Sequence, residues 1–263
     1  MRRIIYYYKT FVGLDDLLKL EKCPVTHIHL SSIHFGFNNG EYYIHLNDYP
    51  PDDNRFINVW KQTRELQQRG VQIRLMIGGA GRAFNELFAD FDNFYPLLVK
   101  CIDDYPWING VDLDIEEDVD IYDVVKLVNL LRRDFGDDFK ITMAPLSSAL
   151  EMDIVGMGGF VYKDLEKLIG DKIEYYNGQF YGNFEVGSYE CAILNHYDPS
   201  RVVMGMVSGQ FTSKNFNKCL DVVIELCNKY ENFGGVFIWE YNNAPPSNNH
   251  ADWALLLNAV MNK

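Results

Sequence analysis

Eight short apolar runs, most of them followed by a helical segment, constrain this chain more than any other feature. They cover residues 4–8, 26–31, 72–77, 110–116, 140–146, 174–181, 202–207 and 235–239. Most are rich in Val, Ile, Tyr and Phe, and several are apolar on both faces, as parallel strands covered by helices must be. Helical spacing shows between them. Residues 54–69 carry Phe56, Ile57, Trp60 and Leu66, with Gly70 as a stop, and residues 120–134 carry Val124, Val125, Leu127, Val128 and Leu131 ahead of Gly136. Residues 215–230 and 252–261 read likewise. Alternation of this kind implies a parallel sheet, and closing it on itself removes its edges. The expected fold class is α/β: one eight-stranded parallel β/α (TIM) barrel, a single domain over residues 1–263. A barrel of this kind takes about 250 residues. An open doubly wound sheet is the competitor, but no GxGxxG follows the first strand. Gly156, Gly158 and Gly159 come late and open no helix after a strand.

Charge narrows the partners. With 24 Lys and Arg against 37 Asp and Glu the net charge is −13, and such a surface repels nucleic acid. No run approaches the roughly 18 apolar residues that span a membrane. The apolar run after Arg2 and Arg3 is too short for a signal-peptide core. The five cysteines are scattered, odd in number and free of any CxxC pair, and no Asn-x-Ser/Thr sequon occurs. We therefore expect a cytoplasmic monomer, with export by an unseen route left open.

The fourth run reads Gly110-Val111-Asp112-Leu113-Asp114-Ile115-Glu116. Strand side chains alternate faces, so Asp112, Asp114 and Glu116 share one face while Val111, Leu113 and Ile115 share the other. In a barrel the acidic face points inward, where each uncompensated ion costs several kcal/mol. Stability alone would place Val or Leu there. An edge strand with its acids in water is one alternative. A calcium loop is another, but Glu117 stands where its turn glycine belongs. Glu116 ends the run, at the C-terminal mouth where barrel enzymes keep their sites. A carboxylate two residues back disfavours its ionisation, which suits a general acid.

Residues 109–116, Asn-Gly-Val-Asp-Leu-Asp-Ile-Glu, resemble the DGxDxDxE signature of family-18 glycoside hydrolases, the chitinase-like barrels, with Asn109 in place of the first Asp. Residues 74–79, Arg-Leu-Met-Ile-Gly-Gly, resemble the family's third-strand SxGG motif with Met76 for Ser. Met143-Ala144-Pro145 and Gln179-Phe180-Tyr181-Gly182-Asn183 resemble segments of plant class III chitinases. Residues 235–239 resemble the last strand, whose tryptophan floors the sugar site.

The resemblance implies a retaining, substrate-assisted glycosidase of chitinase or endo-β-N-acetylglucosaminidase type that needs neither metal nor cofactor and binds N-acetylglucosamine-containing oligosaccharides. In it Glu116 protonates the leaving oxygen and Asp114 holds the acetamide N–H. Asp112 positions Asp114 and shares its proton, and Tyr181 donates to the acetamide oxygen. Gln179, Asn183 and Met143 line the pocket, Gly78 and Gly79 admit the sugar, and Trp239 stacks on it. On the first strand Tyr6-Tyr7-Tyr8 leaves the register open, with Tyr8 carried as the site candidate. Three side features remain. Glu240 stands where it could intrude on the pocket or pair with Arg74 or Arg82. Ser31-Ser32 replaces an aromatic common in relatives. His27 and His29, which share a strand face, lack a third metal ligand and are expected to pack against helices. The alternatives are a catalytically inactive, carbohydrate-binding barrel, as in narbonin and concanavalin B, and a purely structural or inhibitory protein.

Overall fold

The computed structural model describes residues 2–262. Nine strands form one sheet: β1 (Arg3–Tyr8), β2 (His27–Asn38), β3 (Glu41–Leu46), β4 (Gln72–Gly78), β5 (Gly110–Asp114), β6 (Lys140–Met143), β7 (Ile173–Gln179), β8 (Val202–Val207) and β9 (Gly235–Trp239). Eight of them are parallel, and β1 pairs with both β2 and β9, which closes the barrel. The expected eight runs are these eight strands. The ninth, β3, pairs antiparallel with the outer half of β2 and stands above the barrel rim. Its turn is Asn39-Gly40, both residues at positive φ, the two-residue connection that suits the twist of a hairpin.

Helices cover the outside, and their ends follow local chemistry. The helix Ile121–Phe135 starts at Asp120, whose carboxylate accepts from the Tyr122 N–H, and stops at Gly136 with φ of 75°. Helices Ile57–Gln68, Phe216–Lys229 and Asp252–Met261 match the expected periodic segments within one or two residues at nearly every end, a 3₁₀ turn preceding the first of them. No helix among the described residues is long and apolar enough to cross a membrane.

Strand alternation divides the interior in two. Outward side chains such as Tyr6, Leu75, Val111, Leu113, Ile141 and Val236 join one core between barrel and helices. Inward ones, Ile5, Tyr7, Met76, Tyr175, Val203 and Phe237, form a second core inside the barrel, with Tyr181 and Trp239 packed above it. Buried His27, His29, Arg74, Asp112, Thr142 and Asn177 occupy inward positions too. His27 and His29 were expected against helices. They sit in the lumen instead, their rings against Tyr175 and Tyr7, because their strand positions alternate with outward Ile28 and Leu30. No group of three potential metal ligands occurs among the described residues.

Candidate active site

The C-terminal mouth of the barrel opens into a cleft of about 540 Å³. Strand ends supply Gly78, Gly79, Asp114, Glu116, Gln179, Tyr181 and Trp239 to its lining. The rim adds Lys9 and Phe11 from the connection after β1, His34 and Phe35 from β2, and His45, Asn47 and Asp48 from β3 and the loop beyond it.

The acid row stands on β5. Asp112 lies lowest and is fully buried. It accepts bonds from the Tyr7 hydroxyl at 2.6 Å, the Thr142 hydroxyl at 2.6 Å and the Asn177 amide at 2.9 Å. Burial alone would raise its pKa, but His29, Thr142 and Tyr7 outweigh burial and hold it below the usual carboxylate range. Asp114, one alternation higher, accepts from the Gln179 amide at 3.0 Å. Burial, then the charges of Glu116, Asp112 and Glu117, push its pKa well up. Glu116 lies two residues beyond the strand and is half-buried. Burial raises its pKa, the Gln179 amide pulls it back, and the charge of Glu117 pushes it up again. The row therefore places an anion at its base and readily protonated carboxyls towards the cleft, as a proton donor requires. Tyr181 also keeps its proton, because burial and the neighbouring acids disfavour the phenolate.

Gly78 and Gly79 hold the row in place. Both have positive φ, and the Gly79 N–H donates to the Asp114 carbonyl at 2.8 Å. A Cβ on Gly78 would run into that carbonyl and the Phe84 ring. Their first task is thus close approach of backbone to backbone beside the acid. Gly78→Ala adds left-handed strain to overpacking, each worth about 1–3 kcal/mol, and should destabilise the fold by about 2–6 kcal/mol in urea unfolding.

Three sequence candidates do not reach the cleft. Met143 and Tyr8 face outward into the helix-packed core, and the Tyr8 hydroxyl donates to the Val12 carbonyl at 2.7 Å. Asn183 lies past the end of β7, where strand alternation has lapsed, and its amide donates to Ser147 at 2.9 Å and Glu151 at 3.2 Å. Tyr7 is the first-strand residue that meets the acids. Glu240 does not intrude: its carboxylate accepts from Asn242 and Asn243. Arg74 pairs with Glu174, low in the barrel. Ser32 lines the cleft with no aromatic of its own, and Phe11, 64% exposed, supplies that surface from the first loop. Lys9 stands between the rings of Phe11 and Trp239, at 5.0 and 5.8 Å from their centres. Nothing in the local sequence marks Lys9 or Phe11 as site residues.

The closed barrel and this acid row define a glycosidase. The chain belongs to family 18 of the glycosyl hydrolases, whose family model matches residues 3–215. It is similar to a fungal endo-β-N-acetylglucosaminidase of that family, with 30% identity, a TM-score of 0.86, and 99% of this chain and 98% of that one covered. It is also similar to the chitinase ChiC of Aspergillus fumigatus, with 32% identity, a TM-score of 0.84 and 94% of each chain covered. A family-18 chitinase from Pseudoalteromonas aurantia, 20% identical over 98% of this chain and 99% of that one with a TM-score of 0.74, shares the fold. No curated protein sequence matches.

Proposed function

We propose that the protein hydrolyses β-1,4-linked N-acetylglucosamine glycosides, in chitin oligosaccharides or the N-glycan core, with retention and with the substrate's own acetamide as nucleophile. The carrying observation is the placement of Asp114, buried in the barrel mouth between Asp112 and Glu116, where burial and the neighbouring acids push its pKa well up. A buried carboxyl that holds its proton is a poor nucleophile, and it stands only two residues before the acid Glu116 on the same segment. A two-carboxylate retaining enzyme instead sets an ionised nucleophile across the sugar from its acid, the carboxyl groups about 5 Å apart. This arrangement supports an attacking atom supplied by the substrate. Glu116 protonates the departing oxygen while the acetamide oxygen closes on the anomeric carbon. Asp114 takes the acetamide N–H as its partner and Tyr181 donates to the acetamide oxygen. Asp112 and Asp114 together carry one proton and one negative charge, and that charge offsets the oxazolinium cation. Water then opens the ring, returning a proton to Glu116. The similarity to a chitinase and an endo-β-N-acetylglucosaminidase at 30% identity or more supports this substrate class.

The test compares a fluorogenic chitotrioside with the same glycoside de-N-acetylated at the reacting sugar. The acetylated substrate should turn over and the deacetylated one should be inert. Comparable rates on both would sink the substrate-assisted reading. Binding without turnover of the chitotrioside or a high-mannose glycopeptide would favour a carbohydrate-binding barrel.

A further inference from the structure

The two histidines of β2 belong to no step above, yet one of them touches the acid row. His29 Nδ1 stands 3.3 Å from Asp112 Oδ2, without the alignment of a formed hydrogen bond. Both its ring nitrogens are buried and have no other partner. Its neighbours explain why it is there as a neutral ring. Burial disfavours the imidazolium, and Arg74, its register partner on β4, adds a repelling cation, against the attraction of Asp112 and of the more distant Glu174. The other groups of this layer are His27 on the same strand, Arg3 and Tyr7 from β1, and Tyr175 from β7.

Count the lone pairs on Asp112. A carboxylate offers about four acceptor sites on its two oxygens. Oδ1 accepts from Thr142 and Asn177, while Oδ2 accepts from Tyr7 and faces His29. Three sites are filled and the imidazole stands at the fourth. We propose that His29 is a positioning residue: a small turn of its ring brings Nδ1–H onto the open site of Oδ2, which completes the donor set on Asp112 and confines the proton of the Asp112–Asp114 pair to Asp114. A carboxylate with every acceptor site engaged takes up a proton only by giving up a donor, and among the described residues no hydrogen bond joins Asp112 to Asp114. The inference rests on the proposed mechanism for its effect on rate, but not for its effect on where the proton resides.

The experiment uses the whole protein, labelled at the aspartate side-chain carboxyls. Their NMR signals are followed over roughly pH 4 to 9. Asp112→Asn and Asp114→Asn assign the two resonances. In the native protein Asp112 should stay ionised throughout and Asp114 should hold its proton into the upper part of that range. His29→Phe opens an acceptor site, so the Asp112 signal should move towards the protonated value and that of Asp114 away from it. Tyr7→Phe opens a site on the same oxygen and should move both signals in the same directions. His29→Asn keeps a neutral donor and should leave the native pattern.

The chitotrioside pH–rate profile is the second readout. An anionic Asp114 beside Glu116 raises the pKa of Glu116, so the alkaline limb of kcat/KM should rise by at least about half a pH unit in His29→Phe and Tyr7→Phe. Carboxyl signals unmoved in either variant, or moved as far by Asn as by Phe, would overturn the proposal. Should His29→Phe fail to fold, the ring-nitrogen NMR signals of His29 in the native protein decide: a neutral ring protonated at Nδ1 supports the proposal, and one protonated at Nε2 alone overturns it. Absence of turnover in the native protein would count against the proposed function alone, because the carboxyl signals need no substrate.

Discussion

Glu116→Gln should lower kcat/KM on a chitotrioside at least about a hundredfold, because the amide keeps the shape of the acid and has no proton to give. The loss should be greatest for leaving groups that are poor anions, such as a sugar hydroxyl, and smaller for a phenolic fluorophore that departs with little help. Such a gradient would identify Glu116 as a proton donor rather than a packing residue. The pH dependence has a definite sign. The group must be protonated to act, and burial raises its pKa above the ordinary carboxylate range. Activity therefore persists above that range and falls as pH rises through the raised pKa. The fold should tolerate the substitution. A carboxyl whose pKa is raised on folding contributes stability below its unfolded pKa, and that contribution is lost as pH rises through the folded one. At the alkaline end the Gln variant should thus melt no lower than the native protein, which separates lost chemistry from lost structure. Equal rates for the two proteins would remove Glu116 from the mechanism.

How far the sequence foretold these positions depends on what each strand faces. Eight apolar runs, several of them apolar on both faces, announce a covered parallel sheet, and the acid row of the fourth announces which face is inward. Acids at alternating positions in such a run have few places to be except a lumen that opens on a site. The same two-sided burial hides the register of the all-apolar runs. In Tyr6-Tyr7-Tyr8 each ring can fill either core, so nothing in the run separates Tyr7, which meets Asp112, from Tyr8, which does not. Met143 faces outward, which its run hides for the same reason, although Thr142 beside it carries the answer: a polar residue inside a buried strand marks the inward face. His29 and Arg74 are further marks of that kind. The β2–β3 hairpin goes beyond the eight expected runs, although local signals for it exist. Asn39-Gly40 is a strong local signal for a two-residue turn, and Ile33 and Phe35 alternate with polar or small neighbours before it. Lys9 and Phe11 were not legible. They sit on a loop whose path over the mouth is set by tertiary packing, and no periodicity reaches it.

Asp114→Gly should lower turnover by about a hundredfold or more, and added azide should not restore it. The reasoning turns on which atom attacks the anomeric carbon. Were Asp114 the nucleophile, deleting its side chain would leave an open space on the face of the sugar opposite the leaving group. A small anion could enter there and yield a glycosyl azide of inverted configuration, because the covalent step would be replaced while the acid remained. The structure argues against that role. Asp114 is nearly fully buried, holds its proton because burial and three neighbouring acids disfavour its ionised form, and stands at the end of β5 only two residues before Glu116. In the proposed route an attacking acetamide already occupies the opposite face, so the variant lacks a partner for the acetamide N–H rather than a nucleophile, and azide cannot supply that partner. Asp114→Asn, which can still accept from the N–H but carries no exchangeable charge, should retain more activity than Asp114→Gly. Rescue by azide with an inverted product would instead assign Asp114 to covalent catalysis and overturn the substrate-assisted route, while leaving Glu116 as the acid in either case.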